Sequence, residues 1–359
     1  MRSLPFASPL AAWVCASLCA LTFSAAARAE RVVNDGGDIF DGACDAHCTL
    51  RDAVSLADVG ERVVLTVDVV LDRSIGITTD GVRLDGANHA IDAGQVRDGR
   101  PALHVLANDV VVENLRVLKA GDDCVVVERS PQRIANVTVG GCGGSGIIVP
   151  CLNSLEGLSA DGVGDDGIRL LVGSARTCAA TNLSVSRSAG NGIVVSGDFP
   201  DNSVLLSSVA SNDNAALGIA LESTAAVELS SSSATGNRKG GIAASGKNAL
   251  VELVDVTGRG NTGAGLIVSG GATVDIGPAV RMQDNIGPGA IRQLWPLPRP
   301  RQRRAHAERH RRSRRWAQHA AQRAHRPALR RVRRWDRRGQ RCHATRCTVD
   351  VLRPKRPRP

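Results

Sequence analysis

Gly146-Ile147-Ile148-Val149, Gly167-Ile168-Arg169-Leu170 and Gly192-Ile193-Val194-Val195 are three copies of one phrase, a glycine followed by aliphatic residues. The phrase returns at Gly218-Ile219, Gly241-Ile242, Gly265-Leu266 and Gly289-Ala290, and starts one unit earlier at Cys124-Val125-Val126-Val127. The copies recur at intervals of roughly 21–26 residues, a period within the range of solenoid repeats. Between the copies lie alternating segments such as Ile134–Val139, Thr181–Val185, Ser203–Leu206, Val227–Leu229 and Leu250–Leu253. Gly, Asn, Asp and Ser punctuate them, as in Ser211-Asn212-Asp213-Asn214 and Gly236-Asn237. Short strands and turns repeating at this period fit one coil of a right-handed parallel β-helix. No Leu-x-x-Leu-x-Leu frame supports a leucine-rich repeat, and a propeller blade needs about 40 residues.

Outward from this core, Val63–Val67, Ile75–Ile77, Gly81–Gly86 and Ala90–Asp92 read as the first strands, giving about ten coils over residues 63–291. Ahead of them, within a cap region spanning 30–62, Thr49–Asp58 reads as a helix. Thr49 and Asp52 stand at N-cap and N3, and Leu50, Ala53, Val54 and Ala57 share one face. A solenoid needs such a cap to cover its open strand edges.

The segment 1–29 reads as a signal peptide. Arg2 precedes the apolar run Leu10–Phe23, and Ala27-Arg28-Ala29 sets cleavage before Glu30. No later stretch is apolar enough for a transmembrane span, so a secreted or cell-surface location is expected. Six cysteines follow between residues 30 and 291: Cys44, Cys48, Cys124, Cys142, Cys151 and Cys178. In an exported chain they read as up to three disulfides, of which the local pairs 44–48, 124–142 and 151–178 are one of 15 connectivities.

Cys44-Asp45 followed by Cys48-Thr49-Leu50-Arg51-Asp52-Ala53-Val54 resembles the "CSLREA" motif that opens many exported bacterial β-helix proteins of the pectin-lyase-like superfamily. The resemblance runs from Val33 to Val54. It implies a fold and an export route, not an activity.

Two acidic doublets, Asp122-Asp123 and Asp165-Asp166, each immediately precede an anchor phrase. They should therefore share one edge two coils apart, or about 10 Å at ~4.8 Å per coil. Inverting glycosidases hold their carboxyls at a comparable separation of roughly 6.5–9.5 Å. Gly121-Asp122-Asp123-Cys124 resembles the Asp-Asp-Cys motif of polygalacturonases. That family's Asn-Thr-Asp is missing, Ser145 stands in place of its histidine, and Ile168-Arg169-Leu170 lacks its lysine. The candidate catalytic set is Asp122, Asp123, Asp165, Asp166 and Arg169. The same four aspartates are candidate Ca²⁺ ligands, since Ca²⁺ prefers clustered carboxylates. Asp also recurs in ordinary turns, where it bonds its own backbone. Both readings stand at this point.

Other features point away from saccharide processing. The middle residues of the anchor strands, Val126, Ile148, Arg169, Val194, Ala220, Ala243 and Ile267, should face outward as a mostly apolar strip. Such a strip suits a docking partner better than a sugar. Residues 30–291 contain only Phe40 and Phe199 as aromatics, and His47, His89 and His104 are scattered.

The net charge of +10 averages two opposites. Residues 30–291 hold 19 Lys+Arg against 32 Asp+Glu, so nucleic acid is not an expected partner of the folded domain. Residues 292–359 hold 24 against 3, with 23 Arg and one Lys. This Arg-rich tail reads either as a disordered basic segment or as the product of a reading-frame shift near residues 286–296, since out-of-frame GC-rich sequence yields Arg, Pro, Ala and His. Two functional classes remain. The first, which the residues favour, is a non-catalytic binding or surface protein with an extracellular polysaccharide or surface partner. The second is a polysaccharide lyase or glycoside hydrolase acting on acidic polysaccharide.

Overall fold

In a strand, alternate side chains point to opposite faces, so each Gly-Ile-x-Leu phrase sends its first and third aliphatic residues to the same side. A computed structural model describes residues 30–151, 154–173, 177–288 and 290–292, and in it these residues form one continuous stack. Val125, Ile147, Ile168, Ile193, Ile219, Ile242 and Leu266 pair in register through seven successive parallel strands. All seven are buried, each contributing about 1.5–3 kcal/mol of apolar burial.

The strands form two parallel sheets. The second sheet has 10 strands, from Ile75–Ile77 to Ala290–Arg292, which bound nine full turns. Two of these strands, Ile75–Ile77 and Leu103–Val105, precede the first anchor phrase. Leu103–Val105 lacks a recognisable anchor because Ala102 stands where a glycine or cysteine occurs later. The longer sheet runs from Glu30–Val33 to Thr273–Ile276, with side branches. Glu30–Val33 pairs in parallel with Arg62–Leu65, so the sheet begins ahead of the helix.

Each coil also bends once within the long sheet. Asn114, Asn136, Asn182, Ser208, Ser231 and Asp255 all have φ between 47° and 57°. One such residue per coil folds a ten-residue strand such as Thr177–Ser186 into two inward-facing halves. Asn and Asp tolerate this left-handed conformation better than most residues, while Ser does so at some cost.

The helix spans Leu50–Ser55 and is shorter than the expected Thr49–Asp58. Thr49 caps it, its hydroxyl oxygen accepting from the Asp52 N–H, and Leu50, Ala53, Val54 and Ala57 are buried as expected. Leu56 is its C-cap and makes the last helical bond, to the Asp52 carbonyl, and reciprocal bonds between Asp58 and Glu61 then draw the chain into a turn. Disulfides join Cys44 to Cys48, Cys124 to Cys142 and Cys151 to Cys178. Among the described residues no helix is long and apolar enough to cross a membrane. Residues 1–29 lie outside the described residues, as does the segment after Arg292 except for Cys342–His343 and Arg346–Cys347, which pair antiparallel.

The interior near the turn before the second sheet changes character along the axis. Cys142 and Val163 fill it in early coils, and Asn214, Asn237 and Asn261 fill it later, all buried. Each Asn oxygen accepts the backbone N–H of the preceding coil: Ser188 to Asn214 at 3.0 Å, Asn214 to Asn237 at 3.0 Å, Asn237 to Asn261 at 2.9 Å. Asn285 continues the series at 2.9 Å from the Asn261 nitrogen. A turn N–H buried beneath another coil needs a partner, and the amide oxygen above supplies it.

Candidate functional site

The turn that enters each second-sheet strand stacks directly on its neighbours. Gly144 N–H bonds the Asp122 carbonyl at 3.1 Å, Asp165 N–H bonds Gly144 at 3.1 Å, and Gly190 N–H bonds Asp165 at 3.0 Å. This places four dipeptides on one edge: Asp122-Asp123, Gly144-Ser145, Asp165-Asp166 and Gly190-Asn191. Glycine is required in the alternate coils. A Cβ at Gly144 would meet Oδ1 of both Asp122 and Asp123, and one at Gly190 would meet Oδ1 of both Asp165 and Asp166. Each acidic doublet thus leans over the glycine of the next coil.

Four candidates and two residues outside the candidate set are linked by polar contacts. Asp123 Oδ1 accepts the Ser145 N–H at 2.6 Å, and the Ser145 hydroxyl donates to Asp165 Oδ2 at 3.2 Å. Asp166 Oδ1 accepts from both the backbone N–H and the side-chain amide of Asn191, at 2.8 and 3.0 Å. Its other oxygen lies 3.7 Å from an Arg169 guanidinium nitrogen. Asp166 and Ser145 are buried, Asp122 and Asp123 half-buried, and Asp165 exposed. Asp122 joins the edge with its carboxylate beside Gly144 and Asp123.

Burial raises the Asp123 carboxyl above the usual aspartate range, and the charges of Asp122 and Asp165 push it further. The Ser145 N–H and Arg169 pull the other way without cancelling the shift. Arg169 itself carries a buried Nε with no partner.

The sequence places all four aspartates on this edge and Arg169 in the strand that follows it, but it does not announce the connecting roles of Ser145 and Asn191. A signal for them is present in the spacing. Asp123, Ser145, Asp166 and Asn191 each stand one position before an anchor, so they share the period of the anchors themselves. The candidate Ca²⁺ ligands do not converge: among the described residues no three His, Cys, Asp or Glu side chains are grouped to hold a metal ion. The intervening Gly144-Ser145 turn separates the doublets, and Asp166 turns toward Asn191 and Arg169 instead.

The outward strip is narrower than its sequence pattern suggests. Its residues do stack in register through Val126, Ile148, Arg169, Val194, Ala220, Ala243 and Ile267, but Val194 and Ala220 are buried, at 3% and 0% exposure. An outward register position is therefore not equivalent to an exposed one here. A shallow hollow of about 400 Å³ lies elsewhere, on the long sheet, lined by Ser208, Ala210, Ser231, Ser233, Asp255 and Thr257 among others.

A family model described as "Right handed beta helix region" matches residues 101–262, in agreement with the coil stack, and the fold is a right-handed parallel β-helix. Among solved structures, the A-module of a mannuronan C-5 epimerase from Azotobacter vinelandii is similar at 17% identity and a TM-score of 0.47, over 74% of this chain and 97% of that one. A pectate lyase is similar at 10% identity and a TM-score of 0.45, over 72% of this chain and 80% of that one. A protein of Geobacillus virus E2 aligns at 13% identity and a TM-score of 0.38, over 73% of this chain and 59% of that one. No curated protein sequence matches significantly.

Proposed function

We propose that this chain is a non-catalytic β-helix protein that works outside the cytoplasm as a rigid binding surface for an extracellular polysaccharide or a surface-borne partner. One observation carries the reading. The carboxylates an enzyme would use are committed to inter-coil bonds, Asp123 to the Ser145 N–H and Asp166 to Asn191. Their partners are backbone N–H groups of the next coil, so both act as turn ties, in the manner of the asparagine ladder with its direction reversed. The three disulfides and the N-terminal resemblance to exported proteins support the location.

The second reading, a polysaccharide lyase or glycoside hydrolase, is favoured by the raised Asp123 carboxyl, which suits a general acid. Local charge opposes the acidic substrates that this reading invokes. Four carboxylates against one guanidinium repel a polyuronate unless a divalent cation intervenes, and no grouped ligand set supports one among the described residues.

The test is to incubate the exported protein with pectate, polygalacturonate and alginate, with and without Ca²⁺, while following unsaturated products and reducing ends. Parallel affinity electrophoresis in neutral and acidic glycans reads binding. No turnover, together with retarded migration in at least one glycan, is the expected result. Turnover that disappears in Asp123→Asn would sink the proposal in favour of the enzyme.

A further inference from the structure

The three disulfides differ in their surroundings. Cys124, Cys142, Cys151 and Cys178 are all buried in the coil stack. Cys44 is half-buried and Asp45, Ala46 and His47 beside it are exposed, although its partner Cys48 is buried. Thiol–disulfide exchange needs access to a sulfur, so Cys44–Cys48 is the bond that an external thiol reaches. It also closes the shortest loop, with a sequence separation of 4 against 18 and 27, so opening it frees the least chain entropy.

This bond staples the 39–47 loop between two fixed points. On one side Asp38 is clamped by Arg51, whose Nε and Nη2 donate at 2.8 Å each, and it also accepts from the Asp72 and Arg73 N–H groups. On the other, the Cys48 N–H donates to Asn34 Oδ1 at 2.8 Å, and the Cys48 carbonyl accepts from the Asn34 and Asp35 N–H groups. Between these points the loop meets the helix through polar groups. The Thr49 hydroxyl donates to the Ile39 carbonyl at 2.8 Å, and Asp52 Oδ1 accepts from the Asp41 and Gly42 N–H groups at 3.2 and 2.9 Å. Water can replace each of these partners once the loop moves. Ile39 and Phe40 add no anchor, being 73% and 53% exposed, and it is Cys44 that packs against the apolar core. A hollow of about 310 Å³ lies between the loop and the start of the helix, lined by Asp35, Ile39, Asp41, His47, Thr49 and Asp52.

We propose that Cys44–Cys48 is a redox latch: a dithiol reductant opens it ahead of the other two disulfides, and the 39–47 loop then lifts from the helix while the coils stay intact. The attacking thiolate bonds to the Cys44 sulfur, and Cys48 leaves as a thiolate that takes up a proton. The second thiol of the reductant then attacks this mixed disulfide, releasing Cys44 as a thiol and the reductant as its own disulfide. The reductant is oxidised by the electron pair that the protein disulfide gains. Opening bares Thr49 and Asp52, which are buried in the closed form, so the latch governs access to the hollow. Because the loop is held by hydrogen bonds and one crosslink, its release is a local event that leaves the stacked core closed.

Graded dithiothreitol treatment of the exported full chain without denaturant, trapped with iodoacetamide and mapped by peptide mass spectrometry, reads this directly. The expected first product carries label at Cys44 and Cys48 only and keeps the far-UV circular dichroism spectrum. Its Asp41 and Gly42 amides should lose protection from hydrogen exchange, while those of Ile147 and Ile168, bonded between coils, keep theirs. Replacing Cys44 and Cys48 together by alanine should reproduce that exchange pattern with no reductant present; the wild-type measurement stands whether or not this variant is secreted. Reduction of Cys124–Cys142 or Cys151–Cys178 first, or of all three only together, would overturn the proposal. So would a form reduced at Cys44 and Cys48 whose Asp41 and Gly42 amides stay as protected as in the oxidised chain.

Discussion

Replacing Asn237 by alanine isolates what the asparagine ladder contributes. The Asn237 side chain accepts from Asn214 N–H at 3.0 Å and from the Asn214 amide at 2.9 Å, and donates to the Ser211 carbonyl and Asn261 Oδ1, both at 3.0 Å. It is completely buried, so water cannot take over these roles. Four neutral bonds at ~1 kcal/mol each, with a buried N–H left orphaned, put the loss at about 4–6 kcal/mol. Asn285→Ala removes three bonds, two accepted from Asn261 and one donated to the Gly258 carbonyl, at a partly buried end where solvent reaches. Its cost should be about 1–2 kcal/mol. Residues 30–291 contain no Trp, so the denaturant midpoint is best followed by far-UV circular dichroism. Native-state exchange at the Asn214 amide supplies a local readout that does not depend on two-state unfolding, which solenoids need not obey. If Asn237→Ala costs no more than Asn285→Ala, or if the Asn214 amide stays protected, the ladder is not what holds these coils together.

Other positions give independent checks. Ser231 sits at φ 47°, so Ser231→Gly should stabilise the fold by about 0.5–1 kcal/mol, read as a higher melting temperature; a lower one would mean that hydroxyl contacts outweigh backbone strain. Gly164→Ala drives a Cβ into the Gly143 backbone carbonyl and should cost roughly 3 kcal/mol or more, visible as loss of the secreted folded protein. Asp123 has a raised folded-state pKa, so its stabilising contribution is complete below the unfolded value of about 3.9 and is lost as pH rises through the folded value. Asp123→Asn keeps the acceptor for Ser145 and escapes that loss. The variant should melt higher than wild type at about pH 7, and the gap should close toward pH ~3.5; a gap independent of pH would contradict the assignment. Removing the Cys124–Cys142 crosslink with paired alanines should cost about 3 kcal/mol, measured against the oxidised parent.

The coil period is legible in the sequence because the anchors do two things at once. Gly146 and Gly167 must be small where the next coil's carbonyl approaches, and Ile147 and Ile168 must be apolar where they stack, so both constraints mark the same tetrapeptide. The bend at Asn182 and Ser231 is not legible. A single left-handed residue inside an alternating strand leaves its hydropathy pattern almost intact. Asn214 and Asn237 read as turn residues, which they are, yet their burial is hidden because a buried asparagine and an exposed one look alike in sequence. Only the spacing through Asn261 and Asn285 distinguishes them. At the candidate site the acidic doublets stand out by charge. Ser145 and Asn191, neutral and common in turns, become visible once the register is known.

The passage from Val163 to Asn214 runs through Ser188, which donates its N–H to the Asn214 side chain while its own buried hydroxyl has no partner. That residue divides the solenoid into two dialects. A coil grafted in before it must bring an aliphatic or cysteine side chain to the inner turn, whereas one grafted in after it must bring an asparagine. Coils duplicated within either half should insert cleanly, and coils exchanged between halves should not. Ser188 is thus the natural splice point for lengthening or shortening this protein.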